Sequence, residues 1–240
     1  MFTRINKYLS EVGYCSRRVA DRLIKEGKVT INGKIPEMGA KVEEGDQVEV
    51  EGQRIEKSKK QKNIYLAFNK PVGIVCTTDR RVEPLNIIDF INYPSRIFPI
   101  GRLDKDSEGL IFLTNDGNIV NKILRSRNNH QKEYIVVVNR SINKEFIQSM
   151  SNGVKILDTL TKNCFVKQLG AKNFKIILTK GLNRQIRRMC EKLGYRVETL
   201  KRIRIMNIKL DVPKGKYRKF TKEELLELDR LLQKSSKTFD

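Results

Sequence analysis

The chain has 240 residues, of which 39% are hydrophobic, and this is too apolar for a disordered polycation. Lys and Arg number 49 against 28 Asp and Glu, and the formal charge of +21 calls for an anionic partner. The lack of any apolar run near 18 residues argues against a transmembrane helix.

Residues 1–7 lack the apolar stretch of a signal peptide, so a soluble, cytoplasmic protein is expected. Ile5, Tyr8, Leu9 and Val12 fall at helical spacing. Ser16 reads as the N-cap of a second helix over 17–26, and Gly27 as its stop. Val19, Ala20, Leu23 and Ile24 form that helix's apolar face, while Arg17, Arg18, Arg22 and Lys25 point elsewhere. Val29 and Ile31 lead into an Asn32-Gly33 turn, a hairpin signal. Gly45-Asp46 marks another turn before Val48 and Val50. These elements make a domain over 1–50, and the polar run 51–62 reads as a linker.

A second domain is expected over 63–240. Strands are predicted at 64–68, 74–77, 97–100, 110–114, 134–138 and 174–178, with a long one over 200–210. Helices are predicted at 85–91, 119–124, 146–150 and 184–193. Thr221 and Glu224 form a capping box for a last helix over 222–232. Strands and helices do not alternate regularly, which favours α+β with a mixed, largely antiparallel sheet.

The four cysteines, Cys15, Cys76, Cys164 and Cys190, are scattered and form neither a disulfide framework nor a zinc motif. His130, the only histidine, lies in a polar stretch and reads as a solvated loop residue. No phosphate-cradling glycine loop occurs. The expectation is therefore an activity without metal or cofactor. Charge is concentrated in two places. Residues 4–34 hold eight basic and three acidic side chains, and residues 180–219 hold fourteen and three. Two patches on one chain point to nucleic acid. Between two apolar strands lies a loop dense in charge, Gly101 to Gly109. Its carboxylates, flanked by Arg102 and Lys105, should be ionised and could act as nucleophile or base. Alternatively, Asp104 or Asp106 only caps a turn.

The first domain resembles the S4 RNA-binding domain, through Arg4-Ile5-Asn6-Lys7-Tyr8-Leu9, Cys15-Ser16-Arg17-Arg18, Gly27-Lys28-Val29 and Ile31-Asn32-Gly33-Lys34. That resemblance implies RNA contacts from Arg4, Lys7, Arg17, Arg18, Arg22 and Lys25. Gly101-Arg102-Leu103-Asp104, followed by Gly109-Leu110 and Asn115-Asp116-Gly117, resembles the catalytic motif of pseudouridine synthases. Asn69-Lys70-Pro71-Val72-Gly73, Lys132-Glu133-Tyr134, 181–189 and Leu200-Lys201-Arg202 match further motifs of the S4-bearing family named for the ribosomal small-subunit enzyme. Such enzymes break the C1′–N1 bond of a uridine, turn the uracil and rejoin it through C5 without a cofactor. The target nucleotide has to leave the helical stack.

The resemblance implies Asp104 as the essential carboxylate, Arg187 as its ion-pair partner and Tyr134 against the uracil. It implies substrate contacts from Leu200 on the uracil's other side, from Arg102, and from Lys70, Arg184, Gln185 and Arg202. Arg202 and Arg204 suit phosphate better than chemistry, and Lys70 suits a structural or RNA-positioning role. Many relatives have histidine where this chain has Arg184, and sister enzymes usually have glycine at Met206. The subgroup resemblance implies 23S rRNA, free or in an assembling large subunit, as partner, with a peptidyl-transferase-region stem-loop as target. The chain is expected to be a monomer. The rivals are the same reaction on another RNA, such as a tRNA anticodon loop, and a non-enzymatic S4-type assembly factor.

Overall fold

The computed structural model describes residues 2–56, 62–79, 83, 85–125, 128–233 and 235. Two compact units emerge, residues 1–63 with 115–117, and residues 64–114 with 118–240.

In the first unit, β1 (Thr3–Arg4) runs into α1 (Ile5–Glu11), and α2 (Arg17–Lys25) follows. Ser16 Oγ accepts from the Val19 N–H at 3.2 Å, as an N-cap should. Gly27 has φ +68° and ends the helix. Then come β2 (Val29–Ile31), β3 (Lys41–Val42), β4 (Val48–Val50) and β5 (Gln53–Arg54). Asn32 and Gly33 make a tight turn with φ +52° and +77°. The turn closes only an Ile31–Lys34 bridge, and β2 takes its ladder from β4 instead of from a hairpin partner. Strand β5 pairs with β4, so the sheet runs into the segment expected as linker. Ile5, Leu9, Ala20, Ile24, Val29, Val42, Val48 and Val50 form one buried core. Arg4, Arg17, Arg18, Arg22 and Lys25 stand exposed, whereas Lys7 is half-buried, 3.3 Å from Glu11.

The second unit is built on β6 (Tyr65–Lys70), β7 (Phe98–Ile100), β8 (Glu108–Thr114), β9 (Lys132–Val138), β10 (Lys155–Ile156), β11 (Thr159–Leu160) and β12 (Phe165–Gly170). The strands β13 (Asn173–Leu178), β14 (Val197–Ile205), β15 (Ile208–Lys209) and β16 (Tyr217–Lys219) complete it. Its helices are α3 (Ile87–Ile91), α4 (Val120–Leu124), α5 (Lys144–Asn152), α6 (Gln185–Lys192) and α7 (Lys222–Leu232). The main sheet runs β12-β13-β9-β14-β8-β6-β16, with β15 on β14 and β7 on β8. Among its described pairs only β14–β8 is parallel, in agreement with the expected fold.

Period-two alternation sends residues to two cores. Ile111 and Leu113 of β8 join Leu66, Phe68, Tyr134, Val136, Phe146, Met150, Ile186 and Met189 on one face. Leu110 and Phe112 join Ala67, Ile123, Ile205, Leu228 and Leu232 on the other. Both faces of the sheet are thus covered by helices. Two local expectations differ, and some strands were not expected. Residues 74–77 form only a Val75–Asn86 bridge, not a strand. The predicted strand over 200–210 breaks at Met206, which has φ +53°, into β14 and β15. The β10–β11 hairpin, β12 and β16 carry no alternation that marks them.

Candidate active site

The charged loop between β7 and β8 is anchored from three sides. Cys76, after β6, meets the Leu103 backbone twice, with Sγ donating to the carbonyl at 3.2 Å and accepting from the N–H at 3.4 Å. The Gly73 N–H donates to the Lys105 carbonyl at 2.7 Å. Lys70 Nζ, on a fully buried side chain, donates to the Pro71 carbonyl at 2.8 Å and reaches that of Lys105 at 3.5 Å. Within the loop, the Ser107 N–H donates to the Asp104 carbonyl at 3.1 Å. Asp104 is left half-exposed at the turn.

Helix α6 supplies the third anchor. Arg187 is 6% exposed and donates Nη2 to the Asp106 carbonyl at 2.8 Å and to Ser107 Oγ at 3.2 Å. Its Nη1 donates to the Val197 carbonyl at 3.2 Å. The ion pair is with Asp106, at 3.4 Å from Nε to Oδ2. The expected Arg187–Asp104 pair is not formed. Arg184 instead approaches Asp104 at 3.9 Å, while donating two bonds of 3.1 Å to the Asp106 carboxylate. Arg184 holds φ +50°, an uncommon conformation for a non-glycine residue. Burial pushes the Asp106 carboxyl up, but the Arg184 hydrogen bonds and the Arg187 charge outweigh it and hold it below its ordinary value.

Beside the loop, β9 and β14 set Tyr134 opposite Arg202. Tyr134 is 8% exposed and shares the first core with Leu200 and Leu103. Arg202 lies 6.0 Å from the Tyr134 ring centroid and donates Nε to the Leu110 carbonyl at 2.6 Å. At 4% exposure Arg202 is turned inward, so it braces the sheet and does not present an open phosphate contact. Gly109 packs on its backbone: a Cβ there would lie 2.3 Å from the Arg202 carbonyl oxygen. Burial, aided by the Arg202 charge, pushes the Lys132 ammonium down to about 8. Burial also lowers Lys70, with Arg202 adding to it and the fields of Cys76, Asp104 and Asp106 opposing.

Other expected contacts fall differently. Gln185 is buried and accepts from the Leu182 N–H at 2.9 Å, so its carbonyl braces its own loop. Arg204 is engaged with Glu133 at 2.8 Å. Arg102 is exposed and makes no ion pair among the described residues. Lys105 is drawn to Glu83 at 2.9 Å. His130 is half-buried, 2.9 Å from Ser235 Oγ. Among the described residues no three of His, Cys, Asp and Glu cluster as a metal set would, and no helix is long and apolar enough to cross a membrane. Sequence reasoning had set Cys76 aside with the scattered cysteines. Its one signal was a place six residues after Lys70, on the segment facing the loop.

A family model described as RNA pseudouridylate synthase covers residues 64–192, and an S4 domain model covers residues 3–59. The chain belongs to the RNA pseudouridylate synthase family, with an S4 domain, and converts uridine to pseudouridine in RNA. It is 55% identical over 97% of its length, and 80% of the relative's, to the dual-specificity RNA pseudouridine synthase RluF of Escherichia coli K12. Against the ribosomal large subunit pseudouridine synthase B of Bacillus subtilis it is 37% identical, over 83% of this chain and 84% of that one. A crystal structure of a pseudouridylate synthase superposes with a TM-score of 0.68 at 27% identity, covering 95% of this chain and 99% of that one.

Proposed function

We propose that the chain modifies a uridine of 23S rRNA, in a stem-loop of the peptidyl-transferase region, with Asp104 as the reacting carboxylate. The observation that carries this is the half-exposed Asp104 on a loop whose neighbours on both sides are tied to buried groups. A carboxylate so held is positioned to act at the sugar or at C2′ of an extruded nucleotide, while the single histidine, His130, is hydrogen-bonded to Ser235. Extrusion makes the base accessible, with Tyr134 and Leu200 offering apolar surface to the uracil and Arg102 free to fill the vacated stack. Arg187 acts through the loop backbone, not by pairing with Asp104. The exposed Arg4, Arg17, Arg18, Arg22 and Lys25 of the S4 unit hold RNA phosphates, with Lys7 beside them. Support for the ribosomal target is the likeness to the Bacillus relative, a ribosomal large subunit pseudouridine synthase.

A second reading, the same chemistry on a tRNA anticodon loop, is favoured by one observation. The relatives at 54–55% identity are named dual-specificity enzymes. Carbodiimide primer extension on unmodified 23S rRNA and tRNA, exposed to the protein or to Asp104→Ala, tests both. A new stop in 23S rRNA, absent with the variant, supports the first reading. A stop in tRNA alone overturns it in favour of the second. A stop that survives in Asp104→Ala removes Asp104 from the chemistry.

A further inference from the structure

Cys76 is 7% exposed and lies far along the chain from the residue it touches. Its thiol occupies both backbone groups of Leu103, the residue immediately before Asp104. Each bond replaces one that a paired strand would otherwise make. The segment around Cys76 makes a bridge only at Val75, so the thiol stands in for a ladder rung at the point where the loop leaves the sheet. Leu103 is itself buried at 7%, so water does not readily replace the thiol. On the far side of Asp104 the chain is tied by the Gly73 N–H and Lys70 Nζ to Lys105, and by Arg187 to Asp106 and Ser107. Those contacts fix where the loop returns to the sheet. Cys76 alone fixes the peptide on the leading side of Asp104 among the described residues.

From this geometry we propose that Cys76 is a positioning residue for Asp104. Its two hydrogen bonds set the Leu103 backbone, and so the direction in which the Asp104 carboxylate leaves the chain. The inference rests on the reading of Asp104 as the reacting carboxylate. A side chain that aligns another acts on the rate of the bound complex and not on RNA affinity. Displacements of about 1 Å in a reacting group reach a hundredfold in rate. Serine keeps one donor and one acceptor at the same place, though on a shorter bond. Alanine keeps neither, and valine fills the volume without either. Burial pushes the Cys76 thiol above its ordinary value, so the S–H form that donates to the Leu103 carbonyl persists through neutral pH.

The test uses the full chain and a transcript, tritiated at uracil C5, that the wild-type protein modifies. Rejoining at C5 releases that hydrogen to water, so tritium release counts turnovers. Single-turnover rate at saturating protein, and RNA affinity by filter binding, are measured for wild type, Cys76→Ser, Cys76→Val, Cys76→Ala and Asp104→Ala. Thermal melting accompanies each variant. The expected result is a rate reduced about ten- to a hundredfold in Cys76→Val and Cys76→Ala, with affinity within twofold of wild type, and partial recovery in Cys76→Ser. Should the apolar variants fail to fold, Cys76→Ser decides alone: a slowed rate at unchanged affinity supports the proposal. A wild-type rate in folded Cys76→Val, or a variant whose loss lies in affinity and not in rate, overturns it. An active Asp104→Ala overturns the underlying reading instead, and is distinguished because it leaves the Cys76 variants without a residue to position.

Discussion

Gly109→Ala strikes the seam between the loop and the sheet. Gly109 is the second residue of the parallel β8–β14 contact, opposite Arg202, with φ +106°. A Cβ there lies 2.3 Å from the Arg202 carbonyl oxygen and 2.7 Å from its nitrogen. Both are backbone atoms in a central strand, so no rotamer relieves the contact. Ordinary C···O approach is about 3.3–3.6 Å, so the strands have to part by roughly 1 Å. Forcing alanine into this backbone region costs on the order of 1–3 kcal/mol. Overpacking adds about 1–3 kcal/mol more. The total of roughly 2–6 kcal/mol is a large part of the 5–15 kcal/mol that holds a typical domain together. Urea unfolding measures it directly, with Gly117→Ala as control, because a Cβ at Gly117 meets nothing within 4 Å. At urea concentrations where both proteins are folded, the rate on bound RNA is also expected to fall, since residue 109 follows directly on the loop that Arg187 ties. A Gly109→Ala protein within about 1 kcal/mol of wild type would refute the packing argument.

Met206→Gly removes the strain of φ +53°, worth about 1–2 kcal/mol, but empties a site only 6% exposed. Losing a buried methionine costs about 2–5 kcal/mol, so net destabilisation is expected in a thermal melt, and a rise in melting temperature would contradict it. For Lys132, pushed down to about 8, the unfolded chain binds the proton more tightly than the fold does. Stability of the wild type relative to Lys132→Met should therefore rise as pH increases from about 8 toward the ordinary lysine value near 10.4, as read by urea midpoints. Asp106 is held below its ordinary value, so its contribution is present at neutral pH and lost as pH falls through and below about 4. Asp106→Asn should accordingly destabilise at pH 7 and converge on wild type in acid, where a constant difference across pH would exclude the charge explanation.

The sequence announces elements whose local chemistry is self-sufficient. Helix α7 starts where the Thr221–Glu224 box places it, and α2 where Ser16 does. The charged loop from Gly101 to Gly109 was visible because glycines and charges interrupt two apolar strands. What stayed hidden depends on partners distant in the chain. Strand β12 lies at the sheet edge with Phe165 and Leu169 exposed, so no buried face imposes alternation on it. The break at Met206 was masked because methionine rarely adopts positive φ and gives no turn signal. Residues 74–77 look like a strand, but the Val75 backbone bonds to Leu85, Ile87 and Thr77 in a single bridge, and no ladder extends from it. Most instructive is Arg187. The family resemblance implies Arg187 paired with Asp104, but Asp106 lies only two residues on, and it is Asp106 that the guanidinium approaches.

The choice has a physical logic. A carboxylate clasped by a guanidinium is oriented and charged, but its lone pairs are occupied. Asp106 receives that treatment from Arg184, while the buried Arg187 adds its charge at 3.4 Å without a hydrogen bond to the carboxylate and donates Nη2 to the Asp106 carbonyl and Ser107 Oγ. With the buried guanidinium matched by Asp106, Asp104 has no such duty. Among the described residues its ion pair is with the half-exposed Arg184, at 3.9 Å, beyond hydrogen-bond range. On the proposed reading, Asp104 keeps its oxygens available for a nucleotide while the backbone on either side is tied by Cys76, Gly73, Lys70 and Arg187. Rigidity is supplied through the main chain and availability is left to the side chain. A group that must react with a substrate needs both, and one tight ion pair to Asp104 would have given the first at the expense of the second.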